Sequence, residues 1–497
     1  MNVRLALVRN TAWYAVVTGV GLVSGLVMSV ILARGLGPAV MGQLSYVIWV
    51  ERTLTAVATL GYTFATVRYT AEAFARDDGP RAWGVVRLFM RRQLVTTALV
   101  TALAAPLVLL FAVPELEAPL LVIVAMLFVI TIEGIYTHAL QGAHRYDITA
   151  RTSTIKMGLQ LVVAGLAVWQ GANLTVLLAG MGLTLVVSCL IQRHRVRAVY
   201  RESVTAAPAV MTADVHAYLL PLSIVAVLDA IVWDRSEVFF LGLYTSSEDI
   251  AYYSLAFGLA TRIMIIPGIA VGALLPTFST LHGRGDPEEL GRLYTSVLRY
   301  VALVGVPLAA LVAALAPSLV VWLYGDAYLP ASPLVGVLAA VAVLSALRQV
   351  TWAALRGVGD RRCALVATAV AAVVNVGLAA ALIPRWGTTG AVVANAAGQI
   401  TAAVWAFAGM ARTHRLGFPI ADVAKTTVVG LLAWFVAWEL ASDAHDQPDR
   451  VVAATAGLAV YVLACVAARL IGPREWGMLT TSTRRLLAMR APGATTP

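Results

Sequence analysis

Long apolar stretches separated by short polar segments follow one another from about residue 10 to residue 471. A helix that crosses the hydrocarbon core of a bilayer needs about 20 mostly apolar residues. Fourteen stretches meet this requirement, and we number them spans 1 to 14: 10–33, 39–66, 92–113, 117–142, 152–170, 172–192, 217–243, 249–275, 294–315, 330–355, 363–383, 388–410, 421–441 and 450–471. The pattern predicts an all-α polytopic membrane protein of about fourteen transmembrane helices.

The composition agrees with a chain whose outer surface faces lipid. Hydrophobic residues make up 60% of the sequence and charged residues only 12%, whereas a soluble domain is about half apolar and about a quarter charged. A soluble fold of this composition could not cover its surface with polar groups. We therefore expect a multi-pass protein of the cell (plasma) membrane, with the bilayer as its surroundings.

The basic residues are distributed very unevenly between the two sides of these spans. If the N-terminus is cytoplasmic, 29 lysines and arginines lie on the cytoplasmic side and three, Arg34, Arg385 and Arg450, lie outside. Cytoplasmic loops of membrane proteins carry such an excess, so we expect both termini inside. The two longest connections, about 68–91 and 193–216, are then cytoplasmic. The net charge of +10 faces anionic lipid, and no nucleic acid partner is expected.

An internal repeat divides the spans into two halves. The segment ALQGAHRYD (Ala139–Asp147) matches ALRGVGDRR (Ala354–Arg362) at an offset of 215, and each follows an even-numbered span. At the same offset Glu133 falls opposite Arg348. Transporters are often built from such repeats. We predict two six-helix bundles, 1–200 and 201–415, then additional helices 13 and 14 in 416–473, and a cytoplasmic tail, 474–497.

The segment LARGLGPAVMGQLSY after span 1, and the ALxG…R/D turns after spans 4 and 10, resemble the polysaccharide exporter branch of the multidrug/oligosaccharidyl-lipid/polysaccharide superfamily. The resemblance implies two bundles around a central cavity that opens alternately to the two sides. It implies a flippase whose cargo is a polyprenyl-diphosphate-linked oligosaccharide, carried from the inner to the outer leaflet for cell-surface polysaccharide assembly. It also implies a glycan polymerase or glycosyltransferases as partners.

Charged residues in the middle of a span are expensive, at about 2.5–3.5 kcal/mol each on insertion scales. Such side chains avoid lipid and line an internal or water-filled space. Three arginines from three spans, Arg52, Arg262 and Arg348, are the candidate substrate-binding residues of a cationic cavity. The planar guanidinium suits two-pronged contact with a phosphate. The alternative is that each arginine pairs with a neighbouring acid.

The acids within the spans are candidates for a supporting role or for coupling to an ion gradient. They are Glu51, Glu133, Asp229, Asp234 and Glu237. Asp229 is the main candidate for binding H⁺ or Na⁺, because a carboxyl group in a helix shielded from water has a raised proton affinity. The alternative is a salt bridge that holds span 7 to a neighbour. Asn395 and Gln399 share a helix face and could hydrogen-bond across helices or to sugar hydroxyls, and we favour a role in helix packing.

The sequence lacks the common motifs for nucleotide and metal binding. No GxxxxGK phosphate loop, CxxC pair or HxxxH pair is present, so we expect no nucleotide hydrolysis, no bound metal, no cofactor and no catalytic residue. The outer loops are too short for a glycosyltransferase domain, which makes an enzyme the least favoured interpretation. A multidrug extruder of the same superfamily and a flippase for the peptidoglycan lipid precursor stay open as alternatives.

Overall fold

The computed structural model describes residues 3–200, 223, 235–263, 274–442 and 447–470, and this part of the chain folds into helices and turns without a strand. Six helices come first: α1 (Val3–Thr59), α2 (Tyr62–Ala75), α3 (Gly79–Phe111), α4 (Pro114–Gly142), α5 (Tyr146–Trp169) and α6 (Leu174–Val199). After the gap follow α7 (Glu237–Tyr244), α8 (Ser247–Ile263), α9 (Leu274–Arg284), α10 (Pro287–Ala314), α11 (Ala316–Tyr324), a 3₁₀ helix (Asp326–Ala331), α12 (Ser332–Gly357), α13 (Arg361–His414), α14 (Ile420–Ser442) and α15 (Gln447–Ala467).

Nine helices in the described part of the chain are long and apolar enough to cross a membrane. Two of them, α1 and α13, are about twice the length that a single crossing needs. Each is broken once, and each covers two predicted spans. The prediction of an all-α polytopic membrane protein is therefore confirmed, while most of span 7 and the end of span 8 lie outside the described residues.

Glycine produces the break in both double-length helices. Gly37 in α1 has φ 75° and ψ 171°, and Gly387 in α13 has φ 51° and ψ −128°. Glycine adopts positive φ at little steric cost, whereas other residues do so with strain. Pro38 follows the first break and removes a backbone donor from the helix that starts there. The sequence placed both breaks correctly, between spans 1 and 2 and between spans 11 and 12.

Most of the connection predicted at 68–91 is helical. Leu60 and Gly61, both with positive φ, end α1 before the predicted limit of span 2, and α2 continues to Ala75. The next helix, α3, already begins at Gly79, where the Asp78 carboxylate accepts a hydrogen bond of 2.9 Å from the Arg81 amide. Arginine is a good helix former, so the basic segment extends the helix although it interrupts the apolar pattern.

One compact unit consists of Met1–Leu255, Leu323–Tyr328 and Thr368–Gly398. A cluster of aromatic side chains packs together where α2, α3 and the end of α6 meet. Tyr200 is fully buried there, contacts Phe74 and Trp83, and donates a hydrogen bond of 2.9 Å to the Ala139 carbonyl. Large apolar side chains are exposed elsewhere, among them Phe111 at 77%. This distribution is expected of a surface whose solvent is lipid.

The other compact unit consists of Ala256–Trp322, Leu329–Ala367 and Gln399–Pro497. Its described helices include α10, α12, α14 and α15, and small residues let them approach closely. A Cβ atom added at Gly457 of α15 would lie 2.7 Å from the Cβ of Ala437 in α14. Glycine at such contacts is typical of helices packed within membranes.

Candidate functional site

A buried carboxylate at the start of α7 is the centre of a polar cluster in the first unit. Glu237 has no exposed surface, and its neighbours Asn375 and Asn395 are 1% and 2% exposed. The Asn375 amide donates a hydrogen bond of 2.6 Å to Glu237 Oε1, and the Asn395 amide donates one of 3.1 Å to the same oxygen. Both asparagines belong to α13, one on each side of the break at Gly387.

Two further hydroxyl groups complete this cluster. Ser236 donates a hydrogen bond of 2.8 Å to Asn375 Oδ1, and the buried Tyr253 hydroxyl lies beside the Glu237 carboxylate. Asn395 Oδ1 is buried without a hydrogen-bond donor among the described residues. A carboxylate that receives only neutral donors carries a charge that a cation or a proton would neutralise, and oxygen atoms are the ligands that hard cations prefer. The cluster can therefore hold a proton or a small cation.

Asn375 and its contacts were not foreseen from the sequence. Glu237 was singled out because it is an acid within an apolar span, whereas a lone asparagine in such a span gives no sign of its partner. Asn395 and Gln399 were expected to serve packing between helices. Asn395 bonds Glu237, and Gln399 Oε1 accepts a hydrogen bond of 2.6 Å from Ser345, so both make contacts between helices.

In the second unit, Arg348 lies deep inside α12 and is 5% exposed. Its guanidinium carbon lies 4.4 Å from the centre of the Trp352 ring, and that of Arg356 lies 5.5 Å from the same ring. A guanidinium stacked on an aromatic face is stabilised electrostatically. Arg348 is thus buried in a membrane helix and held by an aromatic side chain one turn away.

The other two candidate arginines are more accessible to their surroundings. Arg52 is exposed on α1, and Arg262 near the end of α8 is partly exposed, with its guanidinium near Gly258 one turn earlier. Arg52 belongs to the first unit, whereas Arg262 and Arg348 belong to the second. The shared cationic cavity around all three stays a prediction.

Glu133 on α4 forms an ion pair that the sequence analysis did not foresee. The Lys156 ammonium lies 2.9 Å from Glu133 Oε1 and 3.1 Å from Oε2. Ser188 and Gln192 of α6 donate to Oε1 over 2.6 and 3.1 Å. Lys156 lies within α5, and its ammonium group reaches α4. Together with Ser188 and Gln192, the ion pair joins α4, α5 and α6.

The remaining candidate acids are Glu51, Asp229 and Asp234. Glu51 is partly exposed on α1 and accepts a hydrogen bond of 3.2 Å from Thr55 one turn later. Asp229 and Asp234 lie outside the described residues, so their coupling role stays a prediction. In the described ranges, no three histidine, cysteine or acidic side chains converge as a metal site would require.

Two family profiles match the sequence. That of the polysaccharide biosynthesis protein family covers residues 7–282, more than half of the chain, and that of the MatE family covers residues 223–381. Among curated proteins, none matches this sequence.

Three solved structures with the same fold are distant in sequence. A structure described as "Lipid II flippase MurJ, inward closed conformation" superimposes with a TM-score of 0.71 and 14% identity, over 92% of this chain and 98% of the other. An inward-facing multidrug resistance MATE family transporter of the MOP superfamily gives a TM-score of 0.69 and 18% identity, over 82% and 96%. A MOP superfamily transporter from Pyrococcus furiosus gives 0.59 and 18%, over 82% and 95%. These likenesses establish the fold.

Proposed function

This chain belongs to the polysaccharide biosynthesis protein family, and we propose that it is a flippase for a polyprenyl-diphosphate-linked oligosaccharide. It is a multi-pass membrane transporter with the fold of the MOP superfamily and not an enzyme. In our proposal the cargo moves from the inner to the outer leaflet by alternating access. Glycosyltransferases supply the cargo on the cytoplasmic side, and a glycan polymerase consumes it outside.

The observation that carries the proposal is the burial of Arg348. It lies nine residues before the end of α12, which is about 14 Å along the helix axis and close to the middle of a hydrocarbon core of about 30 Å. A cation at this depth is costly and is typical of a functional position. The oxygens of a diphosphate match the planar fork of such a guanidinium, and a lipid-linked sugar needs a cationic partner of this kind at mid-membrane.

The Glu237 cluster supports coupling to a cation gradient as the source of energy. The carboxylate receives hydrogen bonds from Asn375 and Asn395, so its charge depends on whether a proton or a sodium ion is bound. Because the two asparagines lie on opposite sides of the break in α13, occupancy of the site changes the contacts of both helix halves. We propose that H⁺ or Na⁺ binding at Glu237 biases the conformation of the transporter.

The sidedness of the proposal follows from the basic residues. We propose that both termini and the end of α12 that carries Arg356 lie on the cytoplasmic side, because cytoplasmic loops carry an excess of basic residues. Cargo synthesised in the cytoplasm then meets the exposed Arg356 before the buried Arg348.

The test is transport by the full-length protein in proteoliposomes. A polyprenyl diphosphate with a fluorescent oligosaccharide is placed in the membrane, and an impermeant quencher reports which leaflet holds it. We expect faster exchange than in empty vesicles and, under an imposed H⁺ or Na⁺ gradient, net movement. Arg348→Ala should reduce the rate about tenfold or more, and Glu237→Gln should remove the effect of the gradient. Exchange no faster than in empty vesicles refutes the proposal.

The second candidate function is multidrug extrusion. It is favoured by the MatE profile, whose match includes the buried Glu237, since a buried carboxylate can also bind a cationic drug. The same vesicles loaded with a cationic dye separate the two functions, because a flippase leaves the dye gradient unchanged. A peptidoglycan lipid precursor offers the same diphosphate, and supplying it as a competitor tells whether the sugar determines the choice of cargo.

A further inference from the structure

Four side chains form a stripe along one face of α12. Ser345, Arg348, Trp352 and Arg356 are spaced by three or four residues, and such residues lie on the same side of a helix. Exposure rises along the stripe, because Arg348 is buried, Trp352 is half-buried and Arg356 is exposed. The stripe thus runs from the inside of the membrane helix to its last turn.

The Trp352 ring contacts both guanidiniums of the stripe. The distances from its centre are 4.4 Å to Arg348 and 5.5 Å to Arg356, while the two arginines are eight residues, or about 12 Å of helix axis, apart. A guanidinium that stacks by its face keeps its N–H groups, which lie in its plane, available for oxygen acceptors. Trp352 therefore lies where it can orient both cations.

The first half of the chain carries no arginine at the positions that correspond to the stripe. At the offset of 215, Glu133, Thr137 and Gln141 of α4 correspond to Arg348, Trp352 and Arg356. In α4, Thr137 donates a hydrogen bond of 2.7 Å to Gln192, which in turn donates to Glu133, and Lys156 neutralises the carboxylate. In α4 these positions thus belong to a network around one neutralised carboxylate, whereas in α12 the corresponding positions carry two arginines and a tryptophan.

We propose that Arg356, Trp352 and Arg348 form a two-step binding ladder for a diphosphate headgroup. Arg356 binds the anion at the boundary between membrane and water, and Arg348 holds it in the membrane interior. Trp352 is a positioning residue that keeps the guanidiniums aligned. The inference rests on the proposed function, because it assumes an anionic cargo that enters from the Arg356 end.

Electrostatics explains why two steps are needed. An anion that leaves water without a counter-charge pays a large desolvation cost. Attraction between opposite charges grows as the surroundings become less polar, so Arg348 binds more strongly than Arg356 once the anion has passed the boundary. Arg356 therefore determines how fast the cargo binds, and Arg348 determines how long the cargo stays bound.

Binding kinetics of the purified full-length protein in detergent micelles test this division. The probe is a polyprenyl diphosphate with a fluorophore in its chain, followed by fluorescence anisotropy after rapid mixing. We expect Arg356→Ala to slow association about tenfold and to reduce its salt dependence. Arg348→Ala should accelerate dissociation about tenfold or more. Trp352→Leu should impair both rates, and Trp352→Phe, which keeps an aromatic face, should lie between it and the wild type.

The control variant is Arg362→Ala, which removes the same charge from an exposed position in the first turn of α13. We expect its rates to stay within about twofold of the wild type. Each variant is compared only if it elutes as a single species and melts near the wild-type temperature. Inorganic diphosphate added as a competitor should slow association of the probe, because the ladder recognises the headgroup.

The outcomes separate the ladder from the proposed function. If the wild-type protein does not bind the probe, the anionic cargo itself is refuted. If Arg348→Ala weakens binding while Arg356→Ala behaves like Arg362→Ala, the ladder is refuted and the flippase proposal stands. If Trp352→Leu equals the wild type, Trp352 has no positioning role. If inorganic diphosphate has no effect, the probe binds through its chain, and the headgroup assignment is wrong.

Discussion

The ion pair between Glu133 and Lys156 gives the sharpest prediction of stability. It lies inside the first unit, where the Glu133 side chain is 9% exposed and that of Lys156 is 23% exposed. Replacing Lys156 by methionine keeps the length of the side chain and removes its charge. Glu133 then keeps hydrogen bonds from Ser188 and Gln192 but has lost the Lys156 ammonium that neutralises it.

The magnitude follows from this geometry. Removing one partner of a buried ion pair costs about 3–5 kcal/mol, and the two remaining donors place Lys156→Met at the lower end, at about 3 kcal/mol. Glu133→Gln costs less, about 1.5 kcal/mol, because a partly exposed ammonium can turn towards water. The double variant should lose about 2.5 kcal/mol, so that the two single effects overlap by about 2 kcal/mol.

Unfolding in detergent by heat and by denaturant measures these differences. Lys156→Met should be the least stable variant, and adding Glu133→Gln to it should restore part of the loss. Arg195→Met, which removes an exposed charge from α6, is the control and should change stability by less than about 0.5 kcal/mol. Single effects that simply add would mean that the pair is not coupled, and our account of Glu133 as a structural residue would fail.

Three further substitutions test helix packing and a buried hydrogen bond. Gly357→Ala should destabilise the protein by about 1–3 kcal/mol, because a Cβ there would lie 2.6 Å from the Cβ of Phe278; Gly377→Ala, with open space around it, should instead stabilise α13 by about 0.5–1 kcal/mol. Tyr200→Phe should cost about 1 kcal/mol by removing the buried hydrogen bond to Ala139. Melting temperatures in detergent measure all three effects. Equal effects of the two glycine substitutions would contradict the packing argument.

Most of the helices could be predicted because a membrane imposes a minimum length of apolar sequence. The limits of α4 and α14 differ from spans 4 and 13 by at most three residues. Prediction failed where helices continue past the apolar stretch, as at the start of α3. There Asp78 caps the helix and arginines extend it, so the helix end is determined by capping and propensity and not by hydropathy.

The candidate site was only partly predictable for a different reason. A buried charge such as Glu237 or Arg348 stands out because an apolar stretch makes it expensive. Its partner does not stand out when it is a single neutral residue on another helix, as Asn375 is. Trp352 was missed although its spacing gives a local signal, since Arg348, Trp352 and Arg356 recur every four residues and hence share a face.

The repeated ALxG segments mark a packing constraint. Gly142 ends α4 against Thr70 and Val67 of α2, and Gly357 ends α12 against Phe278 of α9. In each half a short helix passes so close to the last turn of a longer one that a Cβ atom would collide with it. This contact accounts for the glycine in both copies without any role in binding.

The residues after these glycines differ between the two copies. Arg145 forms a two-pronged ion pair with Asp147 over 2.9 Å in the first copy. In the second copy, Asp360 instead caps α13 through the Cys363 amide and contacts His414. Since only the glycine keeps its function in both halves, Gly142→Ala should lower the melting temperature as Gly357→Ala does. Neither substitution should change which cargo is transported, and a variant that folds stably but prefers another cargo would show that the segment also contacts substrate.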